Sequence, residues 1–385
     1  MDGMNSEEEK LEIYQRLYRI LEGLNKVMHE SEACQDSAAS EALLELQSAS
    51  TSILSGNPHL FTISEHLSQL AELVLEHNSS KPTNHGIRSF IASRLRSQEF
   101  SRHFAAIRSE VETCIDREVV SSLKETLSEL RSFEDASSLY MIDEDKLCDK
   151  MSVLEERISR GFDINLQDLL LRSGIFSELV WVLCNSNFSK MVREMAASCL
   201  QRLVLFNKDV FVGSVLVGGS VKALVSMDSL CSLQVLSSLI KAIKSPLVDE
   251  IESCGGILKI VEYLSSEDME MRIMALDCIM EIGYFGRKEA VEVMLDAGLI
   301  KSLVELQRIA VTADGFETKS ERKHQHQPFA GCVARFAVQL EVGEGLRQRE
   351  KRAFKQQILD KVRECCASDA ESATIVAEVL WGSTP

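Results

Sequence analysis

Cys254-Gly255-Gly256-Ile257-Leu258-Lys259-Ile260-Val261 is one of four copies of a short motif, and the spacing of the copies decides the fold. The others are Ser173-Gly174-Ile175-Phe176-Ser177-Glu178-Leu179-Val180, Gly218-Gly219-Ser220-Val221-Lys222-Ala223-Leu224-Val225 and Ala297-Gly298-Leu299-Ile300-Lys301-Ser302-Leu303-Val304. Counted at Gly174, Gly219, Gly256 and Gly298, the intervals are 45, 37 and 42 residues. A period in this range marks stacked helical repeats, each too small to bury its apolar face alone.

Around each motif the chain reads as three helices in series. A short first helix (210–216, 247–251, 290–295) ends at the glycine, which supplies the left-handed conformation that other residues avoid. A second helix follows, with Ile257, Ile260, Val261 and Leu264 on one face. The third is longer. Val192, Met195, Ala196, Cys199, Leu200, Leu203 and Val204 share a stripe that Met271, Met274, Ala275, Cys278, Ile279 and Ile282 repeat. Polar starters such as Ser265-Ser266-Glu267-Asp268 suit the capping of exposed amides before it.

On these residues the chain resembles armadillo repeats, most of all the plant armadillo-repeat superfamily, clearly over 165–307 and less clearly to the C-terminus. The resemblance implies an all-α fold: a right-handed armadillo-like α-α superhelix, a solenoid, preceded by an N-terminal helical bundle-like domain. It is specific for architecture and poorly specific for function, because such arrays serve many partners.

The net charge of −17, from 42 basic and 59 acidic residues, argues against nucleic acid or an anionic membrane as the bulk partner. Eleven cysteines, scattered and odd in number, are read as reduced thiols in a cytoplasmic or nuclear protein. No apolar run has the length of a membrane span, and the acidic N-terminus lacks the order of a signal peptide.

Residues 1–132 read as an acidic helical domain, a four-helix bundle or an irregular cap; its first 80 residues hold 14 acidic and 4 basic side chains. It distantly resembles the helical domain that precedes the repeats in plant U-box proteins. Residues 133–160 form a linker and lead-in helix, and 161–310 the repeats. Residues 311–328 read as a mobile loop inserted between second and third helices, and 329–385 as the last repeat and capping helices.

In armadillo proteins the third helices carry an asparagine ladder that clamps an extended peptide. Matching the pattern puts Arg202, Lys241, Glu281 and Gln339 at those positions, so an import-receptor mode is not implied. A groove of mixed charge for a charged helix or strand remains, against the plain alternative of solvated or inter-repeat ion pairs. A second candidate is the basic patch Arg347, Arg349, Lys351, Arg352 and Lys355, which suits phosphates, nuclear targeting, or docking on the acidic N-terminal domain. A merely solvated face is its plain alternative. His324 and His326 lack further ligands at metal spacing, and Cys365-Cys366 is not a redox pair. Gly218-Gly219-Ser220-Val221-Lys222 lacks the first glycine of a phosphate loop, and no catalytic signature or U-box stretch is present.

The expected function is non-enzymatic: a scaffold or adaptor binding a protein along the concave face, with no cofactor and no metal. The alternatives are a substrate-selecting relative in ubiquitination without its own U-box, and binding of a phosphate-containing ligand through 347–355.

Overall fold

The computed structural model describes residues 87–132, 143–314 and 328–381. The expectations for the chain before residue 87, for the hinge at 133–142 and for His324 and His326 lie outside the described residues. Every regular element among the described residues is a helix. The chain divides into two compact units, residues 1–127 with 163–173, and residues 128–162 with 174–385.

Among the described residues, three helices precede the first glycine motif: α1 (Ile87–Ser132), α2 (Glu144–Ser159) and α3 (Ile164–Ser173). In the first unit, α1 buries Val111, Val119, Val120, Leu123 and Leu127, and α3 buries Leu166 and Leu170, each on one helical stripe. Residues 163–173, which the period assigns to the repeats, thus group with the first unit.

The second unit continues with α4 (Ile175–Cys184), α5 (Lys190–Phe206), α6 (Lys208–Val217), α7 (Ser220–Ser226), α8 (Leu230–Ile243) and α9 (Ser245–Ser253). Then come α10 (Gly256–Glu262), α11 (Met269–Phe285), α12 (Lys288–Asp296), α13 (Leu299–Asp314), α14 (Cys332–Val342), α15 (Gln348–Cys365) and α16 (Asp369–Trp381). The expected triplets are present: first helices α6, α9 and α12, second helices α4, α7, α10 and α13, third helices α5, α8, α11 and α14. The third helices pack in a row, each on the next, as armadillo-like stacking requires. The row is longer than the motif count. Helix α2 packs on α5 as a third helix without a motif, and α16 packs on α14.

Burial explains the row. Helix α5 buries Val192, Ala196, Ala197, Cys199, Leu200, Leu203 and Val204, and α11 buries Ala275, Leu276, Cys278, Ile279 and Ile282. A fully buried Leu or Ile contributes about 1.5–3 kcal/mol, and the alanines let neighbouring backbones approach. Four helices of the row open on the same device, a side-chain oxygen accepting an early amide: Asp143 from Lys146 (3.2 Å), Ser189 from Val192 (3.4 Å), Ser229 from Ser232 (3.1 Å) and Asp268 from Glu270 (2.9 Å). Buried thiols add rungs. Cys199 donates to the Met151 carbonyl (3.3 Å) and Cys278 to that of Leu233 (3.4 Å), each on the preceding third helix.

Two boundaries differ from the sequence reading. The left-handed bends before the second helices are Gly174 (φ 69°), Gly219 (φ 73°), Gly255 (φ 74°) and Gly298 (φ 83°), so Gly255 takes the place expected of Gly256. Gly256 instead opens α10, where a Cβ would lie 2.8 Å from Val225 Cγ2 and 3.0 Å from Ile251 Cγ2. The boundary expected at 311 also differs, because α13 keeps its helical turn to Asp314; the rest of the expected loop, 315–327, lies outside the described residues.

Candidate binding cleft on the third-helix row

Lys241, Glu281 and Gln339 sit near the C-terminal ends of α8, α11 and α14, three consecutive third helices. Each helix carries its apolar stripe inward, which turns these shoulder positions outward. The three line one open cleft of about 340 Å³ with Asp277, Met280, Arg335 and Val338. Lys241 Nζ lies 3.6 Å from Glu281 Oε1, with the lysine well exposed and the glutamate half-buried. Arg335 donates to the Pro328 carbonyl at 2.7 Å. Met280 forms an apolar floor and Val338 an apolar edge. The cleft thus offers both signs of charge, a carboxamide and an apolar strip.

Arg202 is not part of this cleft. Its Nε lies 3.1 Å from Glu155 Oε1, and Ser198 Oγ donates to the same oxygen at 3.3 Å. For Arg202, as for Lys241 with Glu281, an inter-repeat ion pair is the observed arrangement. Asp277 and Arg335 were not singled out from the sequence. They stand four residues before Glu281 and Gln339, one helical turn away on the same faces, and that spacing was a signal available for them.

Beneath the cleft, burial and then the charge of Asp277 push the Cys278 thiol up to about 12. Burial likewise raises Cys332 to about 12, and Cys199 further. Such thiols are poor nucleophiles and behave as small hydrophobes.

The basic patch divides. Lys351 Nζ donates to the carbonyls of Glu341 (2.9 Å) and Gly343 (2.7 Å), and Lys355 Nζ pairs with Glu341 (2.9 Å). These two lysines hold the C-terminal end of α14, where cations complement the helix dipole, rather than forming an open phosphate face with Arg347. Arg347, Arg349 and Arg352 are exposed. The loop read against a phosphate site is a repeat bend, with Ser220 Oγ buried and donating to the Val215 carbonyl at 2.8 Å. Among the described residues, no cluster of three His, Cys, Asp or Glu side chains has metal geometry. No single described helix is long and apolar enough to cross a membrane.

No family model and no curated protein matches the chain. Among solved structures it is similar to an engineered protein from a structural genomics consortium, with TM-score 0.44 and 18% identity over 67% of this chain and 95% of that one. It is also similar to the designed armadillo repeat protein YIII(Dq)4CqI, with TM-score 0.43 and 14% identity over 63% of this chain and 98% of that one. A third likeness is to a designed armadillo repeat protein solved in complex with the peptide (KR)4, with TM-score 0.40 and 17% identity over 63% and 97%. The fold described above rests on the helix packing of this chain itself.

Proposed function

We propose that this protein is a non-enzymatic scaffold that grips a protein partner along its row of third helices, with the cleft at Lys241, Glu281 and Gln339 as the point of grip. The observation that carries the reading is the convergence of seven side chains from three successive repeats on one open cleft. A stack of repeats offers extended area without moving parts, and a specific contact needs about 800 Å² per partner, more than one repeat supplies.

A displayed peptide library selected on the full chain tests it. Peptides enriched on the wild type lose at least about tenfold in affinity on the Lys241→Ala, Glu281→Ala, Gln339→Ala triple variant, as expected when central interface residues are truncated. Equal binding by the triple variant moves the partner surface off this face. A substrate-selecting role in ubiquitination rests on the resemblance alone, and ubiquitin discharge with added conjugating enzymes tests it separately. A cytoplasmic or nuclear setting is supported by the described cysteines, all of them free thiols.

A further inference from the structure

Lys244 joins α8 to α9 with φ 68° and ψ −141°, a conformation that glycine adopts readily and lysine does not. Its surroundings hold it there. Lys244 Nζ lies 3.0 Å from Glu344 Oε2 and 5.5 Å above the Phe285 ring, while Ser245 Oγ donates to the Phe285 carbonyl at 2.7 Å. Glu344 itself is fixed on α11, because the amides of Glu344 and Gly345 both donate to the Tyr284 carbonyl, at 2.8 and 3.2 Å. Any Cβ on Gly345 would overlap the Gly286 carbonyl, so residues 343–345 lie flat on the end of α11. The same segment closes α14, with the Gly343 amide donating to the Gln339 carbonyl at 2.9 Å.

The ends of three helices are therefore tied at one place. Lys241 is three residues from Lys244, Glu281 three from Tyr284, and Gln339 four from Gly343. Each is about one turn, or about 5.4 Å along the axis, from its tie. The helices tied are the three that line the cleft.

We infer that the ion pair between Lys244 and Glu344 is a clasp that sets the spacing of α8, α11 and α14 and so positions Lys241, Glu281 and Gln339 for a ligand. The positioning role rests on the cleft being the binding site. A strained backbone kept at a non-glycine residue points toward such a role, since strain survives only where the surroundings impose it.

Hydrogen exchange on the full chain reads the clasp directly. Glu344→Gln and Lys244→Glu each speed amide exchange at 281–286 and 339–345 about two- to fivefold, the size a half-exposed pair supports, and leave α5 unchanged. The exchanged pair, Lys244→Glu with Glu344→Lys, restores the slow rates. No acceleration, uniform acceleration of every helix, or no restoration overturns the clasp. Affinity for a peptide selected on the wild type falls in both single variants and returns in the exchanged pair; an affinity that ignores the clasp while exchange responds overturns the positioning role. If no selected peptide depends on the cleft, the site reading and the positioning role fail together, and the exchange measurements still decide the clasp.

Discussion

Gly255 and Gly256 are neighbours with different duties, and substituting each in turn separates bend from packing. At Gly255 the φ is 74° and a Cβ would meet nothing within 4 Å, so alanine there incurs only the backbone penalty. That penalty is about 1–2 kcal/mol for an L-residue in the left-handed region, and asparagine recovers part of it. At Gly256 the conformation is ordinary, but a Cβ would press on Val225 Cγ2 at 2.8 Å, Ile251 Cγ2 at 3.0 Å and the Ile251 carbonyl at 3.1 Å. Overpacking of that kind costs about 1–3 kcal/mol. Urea unfolding followed by circular dichroism at 222 nm is the assay. Gly255→Asn is expected to be milder than Gly255→Ala, while Gly256→Ala is relieved by Val225→Ala and not improved by asparagine. A silent Gly255→Ala, or a Gly256 variant improved by asparagine, would refute the assignment of the bend to Gly255.

Native protein treated with iodoacetamide at pH 8 should keep Cys199 and Cys278 unmodified by mass spectrometry, with both reacting in urea, because burial raises both thiols. Lys351→Ala should lower stability by about 2 kcal/mol in denaturant unfolding, since it removes two charged hydrogen bonds from the end of α14. Arg308, 2.6 Å from Glu371, holds that carboxyl below its ordinary 4.5; burial opposes this and the Ala367 amide assists. A depressed carboxyl stabilises the fold above its unfolded value, and the gain is lost as pH falls through the folded value. Thermal melts should therefore decline below about pH 4.5, less steeply in Glu371→Gln.

The repeats were legible because their signals are local. An apolar stripe of period 3.6 and a glycine at a bend are written in adjacent residues, and the helices they imply are present in α4–α13. The doublet Gly255-Gly256 hid the register by one, since either glycine tolerates the bend and the contacts with Val225 and Ile251 tell them apart. The memberships of α2 and α16 were hidden too, for they join the row by packing and carry no glycine motif. Of the four groove positions, three meet in the cleft. Arg202 does not, because Glu155 on α2 takes its charge, a partner 47 residues away. The basic run looked uniform in sequence, but Lys351 and Lys355 point at the backbone and side chain of α14, which charge patterning along one helix does not reveal.

Helix α2 has a practical consequence for anyone dividing this chain. A fragment begun at residue 161, where the sequence reading starts the repeats, would strip Leu147, Met151, Leu154 and Ile158 from the flank of α5. Cys199 would lose its acceptor and the neighbouring leucines would meet water, leaving a sticky end where the intact array is sealed. Starting before Asp143, whose carboxylate caps α2, keeps that seal in place.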